Sequence, residues 1–227
     1  MKRHLDDELK RLKDKLFRMG LKVEEAVAKA SQALFERNSK KAEEVLRGDQ
    51  EINLCEIEID ELGHELIALH QPTAVDLRFI TMVLKINNDL ERMGDQAVNI
   101  AEKAIQINQE PPVKPYLDLP KIADTARNMV REALDAFMQR DSAKAKEILE
   151  KDDVIDSLND RVYEDVQKLM SGKPEMINQG VALIMVSHNL ERVADLATNI
   201  AEDVIYLTRG IDVRHHIRER REESSSS

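Results

Sequence analysis

One passage occurs twice in this chain. Residues 88–102 read NDLERMGDQAVNIAE and residues 188–202 read HNLERVADLATNIAE, identical at nine of fifteen positions at an offset of 100. Upstream, AEEVLRGDQEIN (42–53) aligns with AKEILEKDDVID (145–156) at an offset of 103. An internal repeat on this scale means that one supersecondary unit is built twice. Any polar pattern kept in both copies then serves either that unit or a function carried out in duplicate.

Breakers define the unit. RNSKK (37–41), HQPT (70–73), QEPPVKPYLDLP (109–120), QRDS (139–142), SGKPE (171–175) and RG (209–210) leave six uninterrupted segments. These predict helices over about 4–36, 40–70, 73–108, 120–139, 142–170 and 175–208, with Pro72, Pro120 and Pro174 near helix starts, where a missing N–H is tolerated. Phe79, Met82, Ile86, Leu90, Met93, Ala97, Ile100 and Ala104 recur every three or four residues in the third segment, and Ile184, Leu190, Val193, Ala197, Ile200 and Val204 in the sixth. Seven glycines, six prolines and 3% aromatic residues are too few for a sheet protein of 227 residues. The expected fold is all-α: two tandem, internally duplicated antiparallel three-helix bundles over 1–110 and 118–210, with a charged, serine-ended tail at 211–227. Helices of about 30 residues extend about 45 Å. Bundles placed end to end or side by side both satisfy the pattern.

Several function classes drop out. A net charge of −10 argues against a general nucleic-acid binder, although eight basic side chains fall in residues 1–22. The single cysteine, Cys55, permits neither an internal disulfide nor a thiolate cage, and reads as a small buried hydrophobe. The opening MKRHLDDELKRLKDK is too charged for a signal peptide, and no stretch reaches 18 apolar residues, so a cytoplasmic location is expected. No phosphate-cradling G-x-x-x-x-G-K-[ST] loop or G-x-S-x-G nucleophile elbow occurs. The chain reads as non-enzymatic.

The duplicated polar residues remain. Glu91, Asp95, Asn99 and Glu102 form one helical stripe, copied as Glu191, Asp195, Asn199 and Glu202. Measured around the helix from Leu90, that stripe centres about 160–180° from the apolar one, which predicts carboxylates pointing away from the core. A second stripe on the preceding helix, Asp49, Asn53, Glu56 and Asp60, is kept in part as Asp152, Asp156, Asn159 and Tyr163. Counting back from the turns at 71–72 and 173 places Asp49 and Asn53 level with Glu91 and Asp95, and Asp152 and Asp156 level with Glu191 and Asp195. Grouped carboxylates repel unless a proton, a basic side chain or a cation compensates. Arg92 and Arg192 offer the basic side chain. A hard cation such as Mg, Ca, Mn or ferric iron suits an all-oxygen donor set. Glu61 and His64 have no copy in the second half, which argues against a ferritin-type di-iron centre.

The runs QPTAVDLRFITMVLKINNDLERMGDQAVNIAE (71–102) and SHNLERVADLATNIAEDVIYLTRG (187–210) resemble the paired signatures of the PhoU family of bacterial phosphate-uptake regulators. The resemblance extends through Gly210. It implies two similar three-helix bundles and repression of the phosphate-starvation response together with the phosphate-specific ABC transporter and its sensor histidine kinase. It further implies a cytoplasmic protein that meets the membrane through those partners and forms a homodimer. The family's E/D-x-x-x-D metal motif, in some members a multinuclear iron cluster, is matched by Glu91 with Asp95, Glu191 with Asp195, and Asp152 with Asp156. At Asp49 the fourth position is Asn53, one charge fewer. Gly94 and Ala194 lie between the acids, where the resemblance implies room beside the ligands. The expected metal set is Asp49, Asn53, Glu91 and Asp95 in one half and Asp152, Asp156, Glu191 and Asp195 in the other, with iron favoured. A structural adaptor with solvated acidic faces, or a metal-dependent hydrolase or oxidase, are the competing readings.

Overall fold

The computed structural model describes residues 2–112 and 118–210. They form α1 (Lys2–Phe35), α2 (Ser39–His70), α3 (Ala74–Asn108), α4 (Leu119–Gln139), α5 (Ser142–Gly172) and α6 (Ile177–Arg209), with no strand among the described residues. Every helix end falls within two residues of its expected position. The start of α6 differs in kind: Pro174–Met176 is a 3-10 turn in which the Met176 N–H donates to the Lys173 carbonyl at 2.9 Å. Pro174 has no N–H and a fixed φ, so the chain enters the helix through this tighter turn. Residues 113–117 of the expected linker and the expected tail at 211–227 lie outside the described residues.

The duplication extends to the turns. α1 and α4 both end on an arginine in the left-handed region, Arg37 (φ 54°) and Arg140 (φ 55°). In both the next N–H returns to the helix, Asn38 to the Ala33 carbonyl and Asp141 to the Ala136 carbonyl, each at 2.9 Å. The Asp141 carboxylate caps α5 by accepting from the Ala143 and Lys144 N–H groups at 2.9 and 3.1 Å, whereas Asn38 makes no such side-chain bond. Asp141→Ala is therefore expected to lower stability by about 1 kcal/mol, and Asn38→Ala by much less. Urea unfolding of the two variants measures the difference.

Within each half three helices enclose an aliphatic core, for example Leu12, Leu16, Met19, Val23, Ile52, Ile59, Ile86 and Leu90 in the first. Antiparallel α1 and α2 are flanked by ion pairs seven residues apart: Lys15–Glu58, Lys22–Glu51 and Lys29–Glu44. The second half reverses the signs, with acids on α4 and bases on α5 in Asp118–Arg161 and Glu132–Lys151. Exposed pairs of this kind contribute little stability. Their reversal disfavours pairing α4 with α2, since Asp118 would then meet Glu58.

The halves lie side by side. α3 packs on α6 and α1 on α4, while α2 and α5 stay on the outside. Lys85, early in α3, bonds Asp203, late in α6, and Gln179, early in α6, donates to the Pro111 carbonyl just beyond α3 at 2.9 Å. α3 and α6 therefore run antiparallel, related by an approximate twofold between their middle turns. On the other layer Glu24 pairs with Arg131, and a Cβ at Gly20 would stand 2.2 Å from a Leu134 methyl, so glycine permits the close approach of α1 and α4. No described helix is long and apolar enough to cross a membrane.

Candidate metal centre

Each carboxylate cluster stands on the seam between an outer helix and a central one, α2 with α3 and α5 with α6. Central helices have a wide buried arc because they meet the opposite half as well as their own bundle. Asp89, Gln96, Asn189 and Asp203 are buried in consequence, although a single amphipathic face would have left them in water. The same width covers one edge of the acidic stripe. Glu91 and Glu191 are half-buried rather than directed away from the core, while Asp95 and Asp195 are exposed, as the periodicity predicts. Gly94 has a specific role here: a Cβ would meet Ile52 at 3.3 Å, so its absence lets α2 settle on α3 at the height of the acids. Ala194 fills the equivalent place and is buried. The small residues serve the close approach of the two helices at this height.

In the first cluster, burial raises the Glu91 carboxyl, followed by the charges of Asp95, Glu56 and Asp49, against the opposing Arg92. Burial and the Asp49 charge raise Asp95. Glu56 is raised by burial, then by Asp60 and Asp95. The Asn53 amide donates to Asp49 Oδ2 at 3.0 Å. Asp49 Oδ1 and Asn53 Oδ1 are left buried with no hydrogen-bond partner among the described residues.

The second cluster shifts its carboxyls in the same direction. Burial, then the charges of Asp195, Asp156, Asp153 and Glu191, push Asp152 up to about 6. Asp195 is raised by burial, Glu191 and Asp156, against His188 and Arg192. Asp156 is raised by burial, Glu191, Asp153 and Asp160. A hydrogen-bonded relay orients Glu191: Ser187 Oγ donates to Asn159 Oδ1, and Asn159 Nδ2 donates to Glu191 Oε2 at 2.8 Å. His188 Nδ1 lies 3.3 Å from that same oxygen. Asp152 Oδ1 is buried without a hydrogen-bond partner among the described residues, as is Asp49 Oδ1 at the equivalent position.

Known proteins place the chain. A model of the PhoU domain matches residues 16–104 and again 119–204. The chain belongs to the PhoU family. A phosphate-specific transport system accessory protein PhoU homolog of Aquifex aeolicus is 41% identical over 216 residues, 95% of this chain and 98% of that protein. The crystal structure of PhoU from Pseudomonas aeruginosa superposes with a TM-score of 0.88 at 36% identity, covering 91% of this chain and 99% of that one. The phosphate transport system regulatory protein PhoU from Streptococcus pneumoniae gives a TM-score of 0.85 at 31% identity, covering 92% and 99%. PhoU relatives so named are accessory and regulatory proteins of phosphate transport. The two matched segments coincide with the two bundles.

For a PhoU chain the donor set is hard: carboxylate and amide oxygens, with one imidazole at the rim of the second cluster. Among the described residues no group of three or more Asp, Glu, His or Cys side chains is placed so that it could hold a metal ion. An ion would have to draw the carboxylates together, and the orphaned Asp49 and Asp152 oxygens are the groups with most to gain, since a buried unpaired acceptor is unfavourable. Sequence reasoning set Glu56 aside because Asn159 replaces it in the other half. Its interaction with Glu91 and Asp95 restores four carboxylates to the first cluster, so the charge deficit expected from Asn53 is made up. Buried Asn159 and Ser187 and rim-placed His188 were also missed as a relay, because their first-half counterparts are Glu56, Asn87 and Asn88. Asn87 instead donates to Asp60 Oδ1 at 2.9 Å and to the Glu56 carbonyl at 3.0 Å. Cys55 is half-buried against the core, and burial pushes its thiol up, away from the reactive thiolate.

Proposed function

We propose that this chain is a non-enzymatic, metal-binding regulator of phosphate uptake that represses the phosphate-starvation response through the phosphate-specific ABC transporter and its sensor histidine kinase. One observation carries the metal reading: both halves gather four carboxylates across an outer–central helix seam, and in both the first aspartate leaves a buried oxygen unpartnered. Asp49, Asn53, Glu91 and Asp95, joined by Glu56, make one site. Asp152, Asp156, Glu191 and Asp195 make the other. Their oxygens suit Mn, Mg, Ca or iron, with iron favoured by the family resemblance. A bound cation would offset the burial and the mutual repulsion that raise these carboxyls and hold each outer helix against its central neighbour. The protein acts in the cytoplasm as a dimer, reaches the membrane through its partners and does not bind DNA. A second reading, a purely structural adaptor, draws on the absence of a preformed cage.

The deciding experiment replaces Asp49, Asp95, Asp152 and Asp195 together by Asn in the native host. A folded protein that no longer represses the phosphate-starvation response at high phosphate is the expected result. Normal repression by that variant would assign the function to the adaptor surface alone.

A further inference from the structure

Gly48 stands inside α2, in regular helix, where glycine destabilises relative to alanine. Its φ is not positive, and a Cβ there would meet nothing within 4 Å. Gly20, Gly63, Gly94 and Gly180 are different, since at each a side chain of a neighbouring helix comes within 3.3 Å of that position. Neither backbone conformation nor helix approach therefore accounts for Gly48. What its missing side chain leaves is a cavity of about 390 Å³ between α1 and α2, with Ala26, Val45 and Ile52 beside the uncovered backbone. Ion bridges close the two ends, Lys22–Glu51 at one and Lys29–Glu44 at the other. Seven residues, or about 10 Å, separate them. Arg47 borders the slot, and its ion pair with Glu43, at 3.8 Å, lies between exposed side chains.

The duplication shows what such a slot accepts. At an offset of 103, Ala26 and Gly48 are replaced by Met129 and Lys151. Met129 is fully buried, and Lys151 bridges to Glu132. The second half thus supplies from its own chain the unbranched apolar group that the first half leaves out. Leu54 and Ile57 extend the contrast. They are 55% and 51% exposed on α2, whereas Ser157 and Asp160 stand at the equivalent positions. At about 100° per residue, Arg47, Leu54 and Ile57 fall within about 80° of one another, on the side of α2 opposite Ile52 and Ile59.

We propose that the slot between Ala26 and Gly48 is a docking site for an amphipathic helix of a protein partner, which inserts one long apolar side chain between the ion bridges, lays others on Leu54 and Ile57, and presents an acid to Arg47. This rests on the reading of the chain as a regulator that acts through other proteins. The inserted side chain takes the place that Met129 takes in the second half. Gly48 and Ile57 are about 13 Å apart along α2, a distance that about three turns of partner helix cover. An apolar anchor ringed by charged pairs that keep water out is the arrangement in which a single side chain contributes most to binding. The second half is filled and polar at these positions, so each chain offers one such site.

The test copies the second half into the first with Ala26→Met and Gly48→Lys. The Gly48 change meets no neighbour and removes a helical glycine, so the filled variant is expected to melt about 2–4 °C higher than the parent. Full-length chain is titrated with the purified phosphate-specific ABC transporter and with the cytoplasmic part of the sensor histidine kinase. Whichever of them binds the parent is expected to bind the filled variant about tenfold more weakly. Leu54→Ser with Ile57→Asp, which leaves the slot open and alters only exposed side chains, is expected to weaken the same binding about tenfold, and it decides alone if the filled variant melts below the parent. Parental affinity in a stably folded filled variant, or in the surface pair, would overturn the proposal. So would a change confined to self-association in sedimentation, which would make the slot a contact between copies of this chain. A parent that binds neither protein would defeat the regulator reading itself, and that result is separate because it requires no variant.

Discussion

Asp152→Asn is expected to make the metal-free protein more stable at pH 7 and, on the proposed cation reading, to remove one of two Mn2+ responses. The first effect follows from a carboxyl held at about 6 by burial and by Asp195, Asp156, Asp153 and Glu191. In the unfolded chain this group has a pKa of about 3.9. Between those values the folded state binds more protons than the unfolded one, so stability falls as pH rises from about 4 through 6 and stays lowered above. Removing the charge restores that loss. Solvent screening at a half-open seam limits the gain to about 1 kcal/mol, or about 2–4 °C in Tm for a chain of this size. Mn2+ at 100 times its Kd would stabilise a site by about 2.7 kcal/mol, and the variant should show that increment from the first cluster only. Thermal unfolding at pH 5 and 7, with and without Mn2+, checks all of this. A metal-free variant less stable than the parent at pH 7 would mean that Asp152 is held by an attraction rather than strained by repulsion.

Lys85→Met is expected to be among the most destabilising single changes. It removes the ammonium that bonds Asp203 and offsets the Asp89 charge, leaving the two buried carboxylates closer to mutual repulsion. Stranding a buried charge costs several kcal/mol in full burial, and the half-exposed lysine reduces this to about 2–3 kcal/mol. The loss should shrink as pH falls below about 6, where Asp89 takes up a proton. Adding Asp203→Asn should return most of the stability at pH 7. Urea titrations of the single and double variants at pH 5 and 7 measure this. A loss independent of pH would point to packing rather than charge.

Helix number, length and order were legible because every proline falls between helices or in a first turn, and because the repeat allowed each reading to be checked against its copy. The heights of Asp49 against Asp95 and of Asp152 against Asp195 were legible for the same reason, since short turns leave little freedom in antiparallel register. What could not be read was how the two bundles meet. Periodicity reports one apolar face per helix, but α3 and α6 have two buried faces, and their second face contains Asp89, Asn189, Asp203 and Gln179 rather than an apolar stripe. That hidden face also leaves Glu91 and Glu191 half-buried, while Asp95 and Asp195 stay exposed as expected. Glu56 and Asn159 lie on the second stripe but stay outside the expected ligand set, because only the start of that stripe is retained in both copies.

The central claim is that the duplicated seams are two separate cation sites. Calorimetric titration of Mn2+ into the metal-free chain, into Asp49→Asn/Asp95→Asn and into Asp152→Asn/Asp195→Asn tests it most directly. Binding at both clusters in the parent, loss of one cluster's binding in each double variant, and unchanged helicity in all three are the expected results. No saturable binding in the parent, or identical isotherms in all three proteins, would contradict it.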